Sequence, residues 1–137
     1  MISLTAEHAL RAVVYLASHP GNCCTVDCIA KHSGIPAGSL AKVLQQLNRS
    51  GLVSSQRGPN GGFVLTRSPQ ALTFMDVIIA ADGQRPSGRQ LAVPRDALGR
   101  RLDDTRAQVE ATYRATTIAQ FLREQETTAE VLVTKGE

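Results

Sequence analysis

At 137 residues, 42% hydrophobic and 20% charged, the chain suits one globular domain with an arm and excludes wholesale disorder. Aromatics at 4% with no Trp disfavour a stacking platform for single strands, and no apolar run reaches the ~18 residues a membrane span needs. The formal charge of +3 sits wholly in residues 1–80, with six Lys/Arg against three acids, while residues 81–137 hold nine of each; a polyanion would find its partner in the first half.

In chain order, residues 5–18 read as a helix capped by Thr5, with Ala6, Ala9, Leu10, Val13, Val14 and Ala17 at the three-to-four spacing of a buried stripe. His19, Pro20, Gly21 and Asn22 stop it. A second helix starts at Thr25, another cap, turns Val26, Ile29 and Ala30 inward, and ends at Gly34. Ile35 and Pro36 make a corner. A third helix then runs from about 37 to 50, with Leu40, Val43, Leu44 and Leu47 on one face and Ser39, Lys42, Gln45, Gln46 and Arg49 facing out.

Two short helices joined by a Gly-Ile-Pro corner describe a helix-turn-helix, whose second helix fits a major groove. Gln, Lys and Arg are side chains that bond base edges and phosphates there. Residues 52–57 and 63–66 read as two strands, and the Asn60-Gly61 step between them is a strong hairpin signal. Helix-turn-helix followed by a hairpin is a winged helix. Its bare glycine tip can approach a phosphate closely, and Arg57 at its base suits a narrow minor groove.

Ser68 and Pro69 break the chain, and Thr73 opens a fourth helix through about Ala81. Residues 84–94 form a loop. From 95 to about 124 the pattern gives one long helix, with Leu98, Leu102, Thr105, Val109, Thr112 and Thr116 along one seam. No other core remains for this helix, so it is expected to pair with its copy in a homodimer. The tail, 125–137, carries no firm signal. The organisation is therefore a winged helix-turn-helix over 1–83, a loop, a C-terminal dimerisation helix over 95–124 and a tail: mostly α with a small β-hairpin.

Cys23, Cys24 and Cys28 crowd into six residues, an odd number at a spacing that makes no disulfide framework. If the second helix reached back to Cys24, then Cys24, Cys28 and His32 would share a face and suit a soft metal or thiol oxidation. The plainer reading makes Cys28 a small core hydrophobe and the adjacent pair incidental. Glu7 and His8 read as surface helix residues. No phosphate-loop, nucleophile-elbow or paired-histidine motif occurs, so no enzyme activity is expected. The N-terminus lacks the basic start and apolar centre of a signal peptide, which points to the cytoplasm.

The sequence resembles the small winged-helix regulators of the Rrf-two family, which includes the IscR- and NsrR-like iron–sulfur repressors. The matching stretches are LTAEHALRA at 4–12, IAKHSGIP at 29–36, LAKVLQQL at 40–47, GLVSSQRGPNGGFVL at 51–65, LTFMDVI at 72–78 and ATTIA at 115–119. The resemblance implies a homodimeric repressor on a palindromic operator in double-stranded DNA, with Arg57 in the minor groove and Ser39 and Lys42 near the start of the recognition helix. An acidic residue that some relatives use to read cytosine falls at Ala41. Relatives that sense iron or nitric oxide carry three cysteines before the long helix; here residues 84–106 contain none, and a cluster-free member with no cofactor is expected.

The expected DNA contacts are Thr25, Ser39, Lys42, Gln46, Arg49, Arg57, Asn60 and Gly61. Phosphate contacts set affinity and base contacts set preference. Two other classes stay open: a thiol- or metal-responsive regulator sensing through Cys23, Cys24 and Cys28, and a winged-helix module that docks on a protein. A small effector, unnamed by the sequence, is a further expected partner.

Overall fold

The computed structural model describes residues 2–58, 61–82 and 96–135, with side chains to Thr128. In chain order the elements are α1 (Leu4–Ala17), α2 (Val26–Ser33), α3 (Ala37–Arg49), β1 (Val53–Gln56), β2 (Gly62–Leu65), α4 (Phe74–Ala81), α5 (Ala97–Ala115) and α6 (Ile118–Lys135). No described helix is long and apolar enough to cross a membrane.

The centre of the core is aliphatic. Val13, Ile29, Leu40, Leu44, Leu47, Val53, Leu72, Val77 and Ile118 are completely buried, so α1, α2, α3, β1, α4 with the residue Leu72 ahead of it, and the start of α6 all contribute. Ala6, Ala9 and Ala12 on α1 are equally buried. Their single-carbon side chains let α4 lie close against α1, where larger residues would hold the helices apart.

The cap of α1 differs from expectation. Ser3 takes the place assigned to Thr5: its hydroxyl accepts from the Ala6 amide at 3.0 Å and donates to Asp82 Oδ1 at 2.8 Å. Both residues are good caps, but only Ser3 reaches the carboxylate at the end of α4, which ties the two helix ends together. For α2 the expectation holds. Thr25 accepts from the Cys28 amide at 3.1 Å, and Gly34 closes the helix at φ +76°.

The hairpin is antiparallel, pairing Val53 with Leu65 and Gln56 with Gly62. Its other edge is also occupied. Cys24 and Phe63 exchange both backbone bonds, at 3.1 and 2.8 Å, so the residue just ahead of α2 acts as a third short strand. That pairing fixes the base of the wing to the helix-turn-helix. It also keeps Cys24 out of α2, so the face combining Cys24, Cys28 and His32 does not exist.

Thr73 and Asp76 form a capping box at the start of α4: the Asp76 amide donates to Thr73 Oγ1 at 3.1 Å and the Thr73 amide to Asp76 Oδ2 at 3.0 Å. Thr73→Ala removes half of the box and is expected to cost about 1 kcal/mol. A lowered urea midpoint at unchanged slope is the readout.

The expected single helix over 95–124 is two helices, and the stretch read as a tail is helical to Lys135. Thr116 is extended at φ −99°, ψ 118°, and its carbonyl accepts from the Phe74 amide at 2.9 Å, while Ile118 donates to Leu72 O at 2.9 Å. Thr117 then opens α6 with a second capping box, exchanging bonds with Gln120 at 3.0 and 3.1 Å. The break stitches the C-terminal helices to the start of α4. The expected loop over 84–94 lies outside the described residues.

Candidate nucleic-acid interface

α3 carries its amphipathic pattern to completion. Leu40, Val43, Leu44 and Leu47 are buried, while Ser39, Lys42, Gln45 and Arg49 are exposed. Ser39 and Lys42 share a shallow groove with Thr5 and His8 of α1, so the first turns of α1 and α3 present one surface. Gln46 leaves the expected set. Its amide turns inward and donates to the Ala80 carbonyl at 3.3 Å, where the Ser50 hydroxyl lies at the same distance. A polar residue one position off the apolar stripe found a backbone partner on α4 instead of solvent.

Thr25 is exposed at the N-terminus of α2, where orphan amides favour a phosphate. It stands directly beside the wing, because the position of a Cβ on Gly62 would lie 2.9 Å from the Thr25 nitrogen. Arg57, at the end of β1, is exposed, and among the described residues no carboxylate pairs with it, with Lys42 or with Arg49. Gly61 is half-buried and donates to Gly58 O at 2.9 Å. A Cβ there would meet the Gln56 carbonyl oxygen at 2.6 Å, so its bareness serves the turn itself. Asn60 lies outside the described residues.

The charge pattern is sharper than the net value. Between Asp27 and Asp76 stand Lys31, Lys42, Arg49, Arg57 and Arg67 with no acid among them. This is the stretch that contains α3 and the wing. A one-sign stretch of chain favours a polyanionic partner.

The described residues 2–58, 61–82 and 96–135 thus form a winged helix with two C-terminal helices. A model of the Rrf2 family, described as an iron-dependent transcriptional regulator, matches residues 2–124. The chain belongs to the Rrf2 family. Among its relatives, an HTH-type transcriptional regulator of Aquifex aeolicus is 41% identical over 78 residues, 57% of this chain and 54% of that protein. One from Mycobacterium tuberculosis is 36% identical over 93 residues, 67% of this chain and 58% of that one. The chain thus spans little more than half the length of these curated relatives. Among solved structures, CymR, the global cysteine regulator of B. subtilis, superposes with TM-score 0.77 at 26% identity, covering 88% of this chain and 95% of that one. IscR of T. potens gives TM-score 0.80 at 23% identity, over 93% and 90%, a likeness of fold.

The family's description raises iron, and the donor set of this Rrf2 chain does not fit an iron–sulfur cluster. All three cysteines lie within residues 23–28. Cys24 is buried with its thiol toward Asn22 O at 3.8 Å, and burial raises its pKa, with the neighbouring Cys28 and Cys23 adding to the shift. Among the described residues no three His, Cys, Asp or Glu side chains come together as a metal site.

Cys28 has other company. The Tyr15 hydroxyl lies 3.3 Å from its sulfur and 3.4 Å from His32 Nδ1, and His19 stacks on the Tyr15 ring at 4.3 Å between centroids. The hydrogen bond to Cys28, then burial, push the Tyr15 phenol up to about 12. Tyr15 is the residue that sequence reasoning missed here. The visible signal was the four-residue spacing of Tyr15 on α1 with His19 just past its end, and of Cys28 with His32 on α2.

Proposed function

We propose that the chain is a transcription regulator that binds double-stranded DNA, a homodimeric repressor on a palindromic operator rather than a catalyst, acting in the cytoplasm. The observation that carries this reading is the cationic set Lys42, Arg49 and Arg57 on α3 and the wing, exposed and without a carboxylate partner among the described residues, in a stretch free of acids. α3 enters the major groove, where Ser39, Lys42, Gln45 and Arg49 face the DNA. Arg57 reaches the minor groove, and Thr25 beside the wing base holds a phosphate. α5 supports the dimer: Leu98, Leu102 and Val109 are exposed on it at 65%, 49% and 36%, on one seam, and a second copy would cover them. No part of the reading runs through iron.

The test begins with selection of bound duplexes from a random library, followed by fluorescence anisotropy across a salt series. The expected result is one enriched palindrome, with log affinity falling linearly in log salt. A protein-docking module would show no such slope. Lys42→Ala is expected to weaken binding several-fold on every sequence and to reduce the slope by about 1 per subunit.

A further inference from the structure

A cleft between α1, the end of α2 and α6 plays no part in the DNA surface. It encloses about 440 Å³, within the roughly 300–1,000 Å³ of small-molecule sites. One wall is apolar, where Phe74 of α4 and Phe121 of α6 meet with ring centroids 5.8 Å apart. Tyr15 also lines it, with the rings of His19 at 4.3 Å and His32 at 5.3 Å from its own.

Both imidazoles are held the same way. Nδ1 of His19 lies 2.8 Å from the Tyr15 carbonyl and Nδ1 of His32 lies 2.9 Å from the Cys28 carbonyl. A carbonyl only accepts, so each Nδ1 is placed as the donor, and in the neutral ring Nε2 is then the acceptor for a hydroxyl. Along α1, Arg11 precedes Tyr15 by four residues and gives one N–H to Glu7 at 3.2 Å. A guanidinium has five donors in a fork, so most of its capacity is left over after the bond to Glu7. Arg11 stands one four-residue step, about 6 Å along the axis, before Tyr15, and His19, two residues past the end of α1, stacks on the Tyr15 ring, so the gap from Arg11 to His19 is longer than that step. Allowing for the reach of both side chains, one ring with a short arm spans that gap.

We propose that this cleft is a binding site for a small aromatic carboxylate carrying a hydroxyl at the far end. The carboxylate pairs with Arg11, the ring lies between Tyr15 and the Phe74–Phe121 pair, and the hydroxyl donates to an imidazole Nε2. The site touches His32 and Ser33 at the end of α2, directly ahead of the Gly34 corner that aims α3. Binding there stands independently of whether the chain binds DNA.

The experiment titrates 4-hydroxyphenylacetate into the full chain and follows the Cε1–H resonances of its three histidines. His8, in the groove beside Ser39 and Lys42, is the internal control. The expected result is a saturable shift of His19 and His32 with His8 unmoved, and binding at least about tenfold weaker for acetate and for p-cresol. Arg11→Gln, at an exposed position, weakens 4-hydroxyphenylacetate about tenfold and leaves p-cresol unchanged. Absence of saturation by about 10 mM, an order of magnitude beyond a weak site, overturns the proposal. So do equal shifts at all three histidines, p-cresol binding as tightly as the acid, or an Arg11→Gln variant that binds like the parent chain.

Discussion

Arg57→Ala is expected to lower affinity for the selected operator by at least about 30-fold while the thermal unfolding curve stays in place. An arginine drawn into a narrow minor groove is assigned the roughly 1–3 kcal/mol that one base-pair position of a specific site carries, and a dimer loses two. At 1.4 kcal/mol per tenfold the pair accounts for that factor with room to spare. Nothing in the fold depends on this side chain: it is exposed at the end of β1, with no carboxylate partner among the described residues. Stability should therefore be unchanged, and affinity for random duplex should fall only several-fold. Arg57→Lys separates charge from shape. Lysine keeps the positive charge but not the planar fork, so the salt slope should survive while the preference for the operator does not. An Ala variant that binds its operator like the parent chain would show that the wing does not read DNA.

The winged helix was legible because its signals are local. The apolar stripe of α3, the Thr25 cap, the Gly34 stop and the β1–β2 pairing each lie within a short stretch of chain, and each is realised. The break between α5 and α6 had a local signal too, the Thr117–Gln120 box. It was hidden because Thr116 also fitted the heptad seam, and periodicity outvoted capping. What no local pattern announces is where one element meets another. Gln46 faces out on a helical wheel, yet the Ala80 carbonyl, thirty-four residues on, draws it in. Cys24 could have extended α2, yet Phe63 claims its backbone. Tyr15 and His32 meet only because α1 and α2 pack side by side. The candidate DNA contacts on α3 and at Arg57 were legible for the same reason as the fold, since they are what the stripe and the turn leave exposed.

The largest loss of stability is expected at Gly62. Its φ is +145°, and a Cβ there would lie 2.6 Å from both the carbonyl carbon and oxygen of Cys24 and 2.9 Å from the Thr25 nitrogen. All three atoms are backbone, so no flexible side chain can swing aside. Gly62→Ala therefore combines a backbone conformation that alanine rarely adopts with a collision, about 2–4 kcal/mol in all. The collision has a specific outlet. The pair of hydrogen bonds between Cys24 and Phe63 is what presses the wing against the start of α2, so opening it relieves the contact. The variant should then show faster amide exchange at Cys24 and Phe63 than in the α3 core, a lowered urea midpoint, and weaker DNA binding, because Thr25 and Arg57 no longer hold their relative places. Gly21→Ala is the control. Gly21 has φ +80° with open space around its missing Cβ, so it carries the backbone cost alone, about 1 kcal/mol. If the two variants lost equal stability, with Cys24 and Phe63 still protected, the close approach of wing and helix would have no energetic weight. If Gly62→Ala alone loosens that bridge, the wing is fixed in position by a backbone contact that only glycine permits.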